Sequence, residues 1–298
     1  MHRSGFVNIV GRPNVGKSTL MNALVGERMS IITAKPQTTR HRIIGILSGD
    51  DFQIVFSDTP GIIHQPAYKM QEKMNQFVRT AFEDADLMLF VTDVEEKYPE
   101  DDPVITQLQS VEVPVLLVIN KTDLAKPEHV LELITWWNDR VKFAETLPIS
   151  ALQKLNTDKL LQIVKDKLPE GPEYYPKDQL TDRPERFFVS EIIREKILEL
   201  YHQEIPYSSE VTVEWFKEKQ TTKGEPLIEI QALIYVARES QKMILLGKKG
   251  SAIKKLGTEA RKALETWLES KVFLDLHVKV REKWRDDENM LRRFGYEV

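Results

Sequence analysis

The sequence has no cysteine, and this absence excludes structural disulfides, thiolate zinc sites and cysteine nucleophiles. It also has no long hydrophobic run, because stretches such as VPVLLVI at 113–119 are far shorter than the roughly 18 apolar residues that indicate a membrane span. The amino-terminal residues enter a strand-like pattern directly, without the apolar segment of a signal peptide. We therefore expect a cytoplasmic protein.

An excess of basic residues is missing as well. Lysine and arginine number 42 against 46 aspartate and glutamate residues, which gives a net charge of −4 and argues against a chain coated with positive charge for nucleic acid. The 298 residues are 41% hydrophobic and 30% charged, as in ordinary folded proteins. At about 100 to 200 residues per domain, this length predicts two domains.

Through residue 168, short β-rich runs alternate with longer amphipathic runs. The predicted strands are 5–10, 42–48, 52–58, 86–93, 113–120 and 145–150, and the predicted helices are 17–26, 69–84, 101–110, 128–142 and 156–168. Such alternation predicts an α/β domain, with a mostly parallel sheet covered by helices on both faces. Ligands of these sheets bind beyond the carboxyl ends of the strands.

A proline-rich stretch separates this half of the chain from the next. Residues 169–185 hold four of the 15 prolines together with a glycine, and such a segment cannot continue a helix. We therefore predict domains at 1–169 and 186–298, joined by a linker at 170–185. The second domain is predicted to be α+β, with helix 185–204, strands 210–218 and 227–236, helices 241–246 and 251–269, strand 272–280 and helix 286–294.

The first predicted strand-to-helix turn carries a phosphate-loop pattern. GRPNVGKS at 11–18 has the GxxxxGK[ST] spacing, in which glycines let successive backbone N–H groups face one anion and the next helix adds its positive end. Lys17 is expected to reach the β- and γ-phosphates, and Ser18 to coordinate Mg²⁺. The predicted phosphate-binding residues are Gly11, Arg12, Pro13, Asn14, Val15, Gly16, Lys17, Ser18 and Thr19.

Two further segments follow predicted strands. DTPG at 58–61 places Asp58 to hold the Mg²⁺ shell and the Gly61 N–H to meet a γ-phosphate, although the same four residues also make a good turn. NKTD at 120–123 ends in Asp123, whose carboxylate can accept hydrogen bonds from guanine N1–H and the exocyclic amine. Adenine has an N1 acceptor and no such amine, so we predict guanine. The predicted nucleotide contacts here are Asp58, Thr59, Pro60, Gly61, Ile62, Asn120, Lys121, Thr122 and Asp123.

A fourth segment, ISA at 149–151, places Ser150 and Ala151 to meet guanine O6 through a backbone N–H. Because the four segments arrive in order at the ends of successive strands, the chain resembles GTPases of the translation-factor-like class. This resemblance implies GTP as substrate and Mg²⁺ as cofactor. In PQTTRHR at 36–42 we favour Thr39 as a further metal ligand, since related GTPases place this threonine directly before arginine; an ordinary polar loop fits Thr38 equally well.

The sequence lacks the glutamine that Ras-like GTPases use for hydrolysis. Ile62 follows the DxxG glycine, where Ras-like proteins carry the glutamine that orients water. We therefore predict slow intrinsic hydrolysis, accelerated by a partner or a monovalent cation. An asparagine at the position of Asn14 occurs in the phosphate loops of GTPases that recruit K⁺ between the phosphates. The alternative is that Asn14 only shapes the turn. The predicted catalytic residues are Asn14, Lys17, Thr39 and Gly61, and the predicted Mg²⁺ ligands are Ser18, Thr39 and Asp58.

The second half contains a strongly basic segment. Residues 242–262 hold seven basic residues and one acidic residue around a Gly-Lys-Lys-Gly turn between two predicted helices. Such a turn presents amides and lysines to phosphodiesters beside an apolar groove, and the element order resembles a type II KH domain. This resemblance implies single-stranded RNA, bound about four nucleotides at a time; a helix-turn-helix or a solvated lysine face is the alternative. The predicted RNA contacts are Gly247, Lys248, Lys249, Gly250, Ile253, Lys254 and Lys255.

Across its whole length the chain resembles the Era family of bacterial GTPases. The resemblance rests on GRPNVGKST, PQTTRHRI, DTPG, NKTD and ISA in the first half, and on SEIIREK, PYS, GKKGSAIKKLGTEAR and the terminal WRDDE and LRRFGY segments in the second. Thr122, where valine is commoner, and Ile62-Ile63 after DTPG depart from the family pattern.

The family resemblance implies a GTPase domain joined to a type II KH domain. It further implies binding to 16S ribosomal RNA near its 3′ end, a role in 30S subunit assembly and rRNA maturation, and peripheral association with the cytoplasmic face of the inner membrane. We expect a monomer that exchanges GTP and GDP. The alternatives are a signalling switch whose second domain docks a protein, and an RNA-dependent NTPase motor.

Overall fold

The structure is a computed structural model that describes residues 2–63, 65–221 and 224–296. It divides into two compact units, and the division of the main chain falls between Asp182 and Arg183, within the predicted linker. The short segment Pro66–Glu72 groups with the second unit. The exact domain bounds predicted from sequence stay a prediction.

The first unit is built around a six-stranded sheet with the strand order β2-β3-β1-β4-β5-β6. β2 runs antiparallel to β3, and the other neighbouring pairs are parallel. The strands are β1 (Arg3–Val10), β2 (Ile43–Ser48), β3 (Phe52–Asp58), β4 (Leu87–Asp93), β5 (Val115–Asn120) and β6 (Glu145–Pro148). The helices are α1 (Lys17–Val25), α2 (Lys69–Glu83, which belongs to this unit from Lys73 onward), α3 (Pro103–Gln109), α4 (Pro127–Asn138) and α5 (Thr157–Lys167).

The central strands are apolar along most of their length because helices cover both faces of the sheet. Every residue of β4 and β5 is buried. On one face, Trp137 from α4 packs against Phe90 from β4 with ring centroids 5.1 Å apart. This packing covers β4 and β5 on that face, and NKTD lies at the carboxyl end of β5.

The second unit is α+β, with a three-stranded sheet in the order β7-β8-β9. β7 and β8 are antiparallel, whereas β8 and β9 are parallel. Its elements are α6 (Glu185–Leu200), α7 (Ile205–Ser208), β7 (Glu210–Gln220), β8 (Pro226–Val236), α8 (Glu239–Leu246), α9 (Ser251–Leu268), β9 (Lys271–Val280) and α10 (Glu288–Arg293). Helices α6, α8 and α9 contribute buried apolar residues to one core with this sheet.

The predicted fold class, a mostly parallel α/β domain followed by an α+β domain, is confirmed. The predicted helix 185–204 is wrong at its end, because Tyr201 is extended (φ −111, ψ 158) and separates α6 from α7. The terminal helix begins at Glu288 rather than at 286, since the Asp287 side chain accepts hydrogen bonds from the N–H groups of Asn289 and Met290. No helix in the described parts of the chain is long and apolar enough to cross a membrane.

Candidate functional site

A cavity of about 540 Å³ lies in the first unit, at the carboxyl ends of the parallel strands. This size is typical of a small-molecule site. Most residues predicted from the motifs line it: Pro13, Asn14, Gly16, Lys17, Ser18, Thr19, Thr39, Thr59, Gly61, Asn120, Lys121, Asp123 and Ser150. The four motifs, which are far apart in sequence, therefore meet at one place.

The phosphate loop between β1 and α1 has the curled backbone expected from its sequence. Asn14 has φ 66 and Gly16 has φ 94, both in the left-handed region that favours glycine and tolerates asparagine. A Cβ at Gly16 would lie 2.3 Å from Nδ2 of Asn120, and one at Gly11 would lie 2.1 Å from the Val91 carbonyl oxygen. Both glycines are therefore required by the loop itself.

Lys17 lies buried beneath this loop. Its Nζ donates hydrogen bonds to the carbonyl oxygens of Gly11 at 3.0 Å and Arg12 at 2.8 Å. Burial lowers the pKa of Lys17 from its ordinary value of 10.5 to about 8, against the opposing effect of the Asp58 and Glu96 carboxylates. A phosphate group in the cavity would favour the charged ammonium, so this lysine is suited to an anionic ligand.

Three oxygen-bearing side chains converge beside Lys17. Ser18 Oγ donates to Asp58 Oδ2 at 2.6 Å, and Thr39 Oγ1 lies 2.8 Å from Ser18 Oγ and 3.4 Å from the same carboxylate oxygen. Asp58 Oδ1 is buried and has no hydrogen-bond partner within the described part of the chain. Burial also raises the pKa of Asp58, against the effects of the Ser18 hydrogen bond and the Lys17 charge.

This set of hard oxygen atoms, with one buried carboxylate oxygen unsatisfied, fits Mg²⁺. The neighbouring Thr38 is directed elsewhere, since its hydroxyl lies 2.6 Å from Thr33 Oγ1 and donates to the Lys35 carbonyl oxygen at 2.6 Å. The geometry therefore favours Thr39 over Thr38 as the metal-binding threonine.

Asn120 connects the base-binding segments to the phosphate loop. Its Nδ2 donates to the Val15 carbonyl oxygen at 2.8 Å, and its Oδ1 accepts from the Ala151 N–H at 2.9 Å. Thr122 Oγ1 donates to the Ile149 carbonyl oxygen at 2.9 Å. These bonds hold NKTD and ISA in place while the exposed Asp123 faces the cavity.

Some predicted contacts have side chains directed away from the cavity. The Arg12 guanidinium forms an ion pair with Asp102, donates to the Lys97 carbonyl oxygen at 3.0 Å and lies 3.9 Å from the Tyr98 ring centroid. Ile62 packs against the core under β4 and β5. Gly11, Arg12, Val15, Pro60, Ile62, Thr122 and Ala151 do not line the cavity, so they can act there through the backbone or by positioning others. Asp58 does not line it either, but its carboxylate accepts a hydrogen bond from Ser18, which does.

Several apolar residues of the cavity were not predicted from the sequence, and two of them lie beside the predicted base-binding motifs. Leu124 and Leu152 line it and are 63% and 76% exposed, which suits them to cover the faces of a planar base. Each directly follows a motif, NKTD or ISA, and that position was the available signal. Further lining residues that were not predicted are Ile31, Ile32, Thr33, Ala34, Gln37, Thr38 and Glu95.

In the second unit, the Gly-Lys-Lys-Gly turn joins α8 to α9. Gly247 has φ 70, Lys249 has φ 52 and Gly250 has φ 76, so three of its four residues have left-handed backbone. A Cβ at Gly247 would lie 2.6 Å from the Cβ of Ala252. The turn is therefore tight, and it leads directly into the amino terminus of α9.

The basic segment divides into paired and exposed charges. Lys242, Arg261 and Lys262 each lie within 3.6 Å of a glutamate carboxylate on the same helix. Four other lysines are exposed, and none of them forms an ion pair with any residue that the structure describes; they are Lys248, Lys249, Lys254 and Lys255. The uncompensated charge is therefore concentrated at the turn and the first turns of α9.

A cavity of about 310 Å³ lies between α9 and β9, and we call it the α9–β9 groove. It is lined by Ile253, Lys254, Gly257, Thr258, Arg261, Leu274 and Leu276. Of the predicted RNA contacts, Ile253 and Lys254 lie in this groove, the four turn residues precede its helix and Lys255 does not line it. An apolar groove beside exposed lysines is the arrangement that binds unstacked bases.

These features define the class of each unit. A phosphate loop, a buried Mg²⁺-type oxygen set and a guanine-type NKTD segment at the ends of parallel strands characterise a P-loop GTPase domain. A helix-GxxG-helix turn on a three-stranded sheet characterises a KH domain.

Comparisons with known proteins agree with both assignments. A family model described as 50S ribosome-binding GTPase matches residues 6–121, and a model of the KH domain matches residues 204–285. GTPase Era of Geotalea daltonii is 46% identical over 295 residues, which cover 99% of this chain and 98% of that protein. The chain belongs to the Era family of GTPases, and the predicted GTPase activity and KH domain are confirmed.

Two solved structures are similar over the full length. A variant of Aquifex aeolicus Era bound to GDP·AlF₄⁻ is 38% identical with a TM-score of 0.92, and the match covers 99% of this chain and 100% of that one. An Era in complex with MgGDPNP and nucleotides 1506–1542 of 16S ribosomal RNA is 38% identical with a TM-score of 0.93, and the match covers 100% of both chains.

Proposed function

We propose that this protein uses GTP to control its binding to 16S ribosomal RNA near the 3′ end, and that it acts in 30S subunit assembly and rRNA maturation. The observation that carries the proposal is the exposed Gly-Lys-Lys-Gly turn beside the α9–β9 groove, in a chain that also carries a guanine-type nucleotide site. The full-length similarity to an Era bound to nucleotides 1506–1542 of that RNA supports this ligand.

At the nucleotide site, this chain's residues bind and neutralise the phosphates. Ser18, Thr39 and Asp58 would hold Mg²⁺, which supplies positive charge at the β- and γ-phosphates. Lys17 and the loop amides would add further donors, and Gly61, which lines the cavity, would offer its N–H to the γ-phosphate. Because Ile62 packs into the core and cannot orient water, intrinsic hydrolysis is slow.

At the RNA site, the Gly-Lys-Lys-Gly turn and the α9–β9 groove bind different parts of the RNA. Backbone amides and exposed lysines of the turn bind phosphodiesters, while apolar residues of the groove receive unpaired bases. We propose that the protein acts as a monomer in the cytoplasm, with the peripheral inner-membrane association that the family resemblance implies. Flotation with anionic lipid vesicles tests that association.

The RNA-binding proposal is tested at the turn. Gly247→Asp combined with Lys248→Glu should abolish binding to an RNA of nucleotides 1506–1542 while GTP affinity stays unchanged. Because Gly247 has a backbone that strains other residues, Lys248→Glu with Lys249→Glu is a second variant that changes charge alone. Lys262→Glu, at an already paired lysine, is the matched control and should lose much less affinity. Unchanged RNA affinity in both turn variants would refute the KH-type RNA site.

A further inference from the structure

Gly257 lies in the interior of α9, the 18-residue helix that forms one wall of the α9–β9 groove. Glycine is unfavourable at such a position relative to alanine, because it loses more backbone freedom on folding and adds no packing. A glycine there needs a reason, either in the fold or in a ligand.

All thirteen glycines lie among the described residues, and the fold explains twelve of them. Seven have φ between 70 and 152, in the region that disfavours other residues. For five more, an added Cβ would lie 2.9 Å or less from a neighbouring atom. The remaining one is Gly257.

Neither of these two reasons from the fold, a positive φ or a crowded Cβ position, applies to Gly257. It has ordinary helical backbone, and an added Cβ would meet only Leu276 Cδ1, at 3.7 Å, which is a normal van der Waals contact. The chain alone would accept alanine here, and alanine would make the helix more stable. The space that a side chain would take is part of the α9–β9 groove.

We propose that Gly257 is a binding residue for RNA, whose missing side chain leaves a bare floor on which one unpaired base lies against the α9 backbone. This inference rests on the proposed RNA-binding function. Ile253, Leu274 and Leu276 provide apolar walls for a planar base. Thr258 and Arg261 bring polar groups to the rim, and Glu265 holds the Arg261 guanidinium at 3.1 Å while accepting from the Val272 N–H at 3.2 Å.

If Gly257 leaves space for a base, replacing it should raise the stability of the KH domain and lower its affinity for RNA. In the full-length protein, Gly257→Ala should raise the melting temperature of the KH domain by roughly 2 to 6 °C. The same variant should weaken binding to an RNA of nucleotides 1506–1542 by about tenfold, because the added methyl group would occupy part of the space proposed for the base. Gly257→Leu should weaken binding further.

Thr266→Ala is the matched control for helix stabilisation. Thr266 is exposed on α9 and does not line the groove, so its replacement should raise the melting temperature without changing RNA affinity. If wild-type protein binds the RNA and Gly257→Ala binds it equally well, the role of Gly257 is refuted. If wild-type protein does not bind the RNA, the proposed function itself fails.

Discussion

Two buried ionisable groups in the nucleotide site are shifted toward their neutral forms. Burial lowers the pKa of Lys17 and raises that of Asp58, and the attraction between the two opposes both shifts. A phosphate near Lys17 and a divalent cation near Asp58 would each favour the charged form. Bound phosphate and Mg²⁺ would therefore stabilise the charged forms of Lys17 and Asp58, so binding of these ligands changes the protonation of the two side chains.

Proton uptake by Lys17 is the first expected consequence. With its pKa at about 8, Lys17 is mostly neutral at pH 9 in the nucleotide-free protein, and bound phosphates recharge it. GDP binding without Mg²⁺ should therefore take up a proton at pH 9 and little at pH 7, so affinity should fall as pH rises above 8. Calorimetry in two buffers with different ionisation enthalpies measures this uptake, and none at pH 9 would contradict the assignment.

We predict that base specificity depends on Asp123, which is exposed and lines the cavity. Asp123→Asn replaces the carboxylate, which accepts from guanine N1–H and the exocyclic amine, with an amide. The amide NH₂ can instead donate to the carbonyl oxygen that xanthine carries in place of that amine. GTP affinity should fall by about a hundredfold or more, while XTP affinity rises. Competition binding with GTP, XTP and ATP measures the change, and an unchanged preference for GTP would exclude guanine recognition by this residue.

The role predicted for Asn14 is recruitment of K⁺. Asn14 lines the cavity with φ 66, a geometry that equally fits a structural turn. If K⁺ takes the place of an arginine finger, GTP hydrolysis should be faster in KCl than in NaCl, and Asn14→Asp should alter that response. Steady-state phosphate release in the two salts tests it; equal rates, or an unaltered K⁺ response in the variant, would leave only the structural role.

At the level of elements, α9 carries both paired and unpaired basic residues, and the RNA site should depend on the unpaired ones. Lys254 is exposed in the groove, whereas Lys262 pairs with Glu259 at 3.0 Å. A phosphate contact to single-stranded RNA contributes about 0.7 to the slope of log affinity against log salt. Lys254→Ala should reduce the magnitude of that slope by about this amount, and Lys262→Ala should leave it unchanged. Equal slopes for Lys254→Ala and the wild-type protein would show that Lys254 does not contact an RNA phosphate.

The strands and motifs of the first unit were predictable because their signals are local. A strand buried on both faces, such as β5, is apolar up to its last residue, Asn120, and a phosphate loop has fixed spacing. The antiparallel direction of β2 was not predictable, since side-chain alternation is the same in both directions. The end of α6 was missed because it depends on Tyr201, whose hydroxyl donates to the distant Leu245 carbonyl oxygen at 2.9 Å.

The same limit applies to the site. Spacing identified Ser18 and Asp58, which the structure brings within 2.6 Å. Spacing gave no direction for the Arg12 side chain, whose partner Asp102 lies 90 residues away in the sequence. Motifs therefore locate backbone and metal contacts, while side chains that position the loop from outside need the fold.

For the whole molecule, the average charge is a poor guide to ligand. The acidic excess lies entirely in residues 1–170, and residues 171–298 hold 23 basic and 23 acidic residues. The anionic nucleotide is held by backbone amides, one lysine and a metal, so its domain needs no net positive charge. RNA binding is assigned to a short basic segment within the neutral half.

The most direct test of this account is to crosslink the full-length protein to RNA in cells and sequence the bound fragments. If the protein binds RNA as proposed, crosslinks will be concentrated near the 3′ end of 16S ribosomal RNA. They will be lost in the variant that carries Lys248→Glu and Lys249→Glu and retains GTP binding. Crosslinks spread over unrelated RNAs, or none above background with intact GTP binding, would contradict it and favour a switch whose second domain binds a protein.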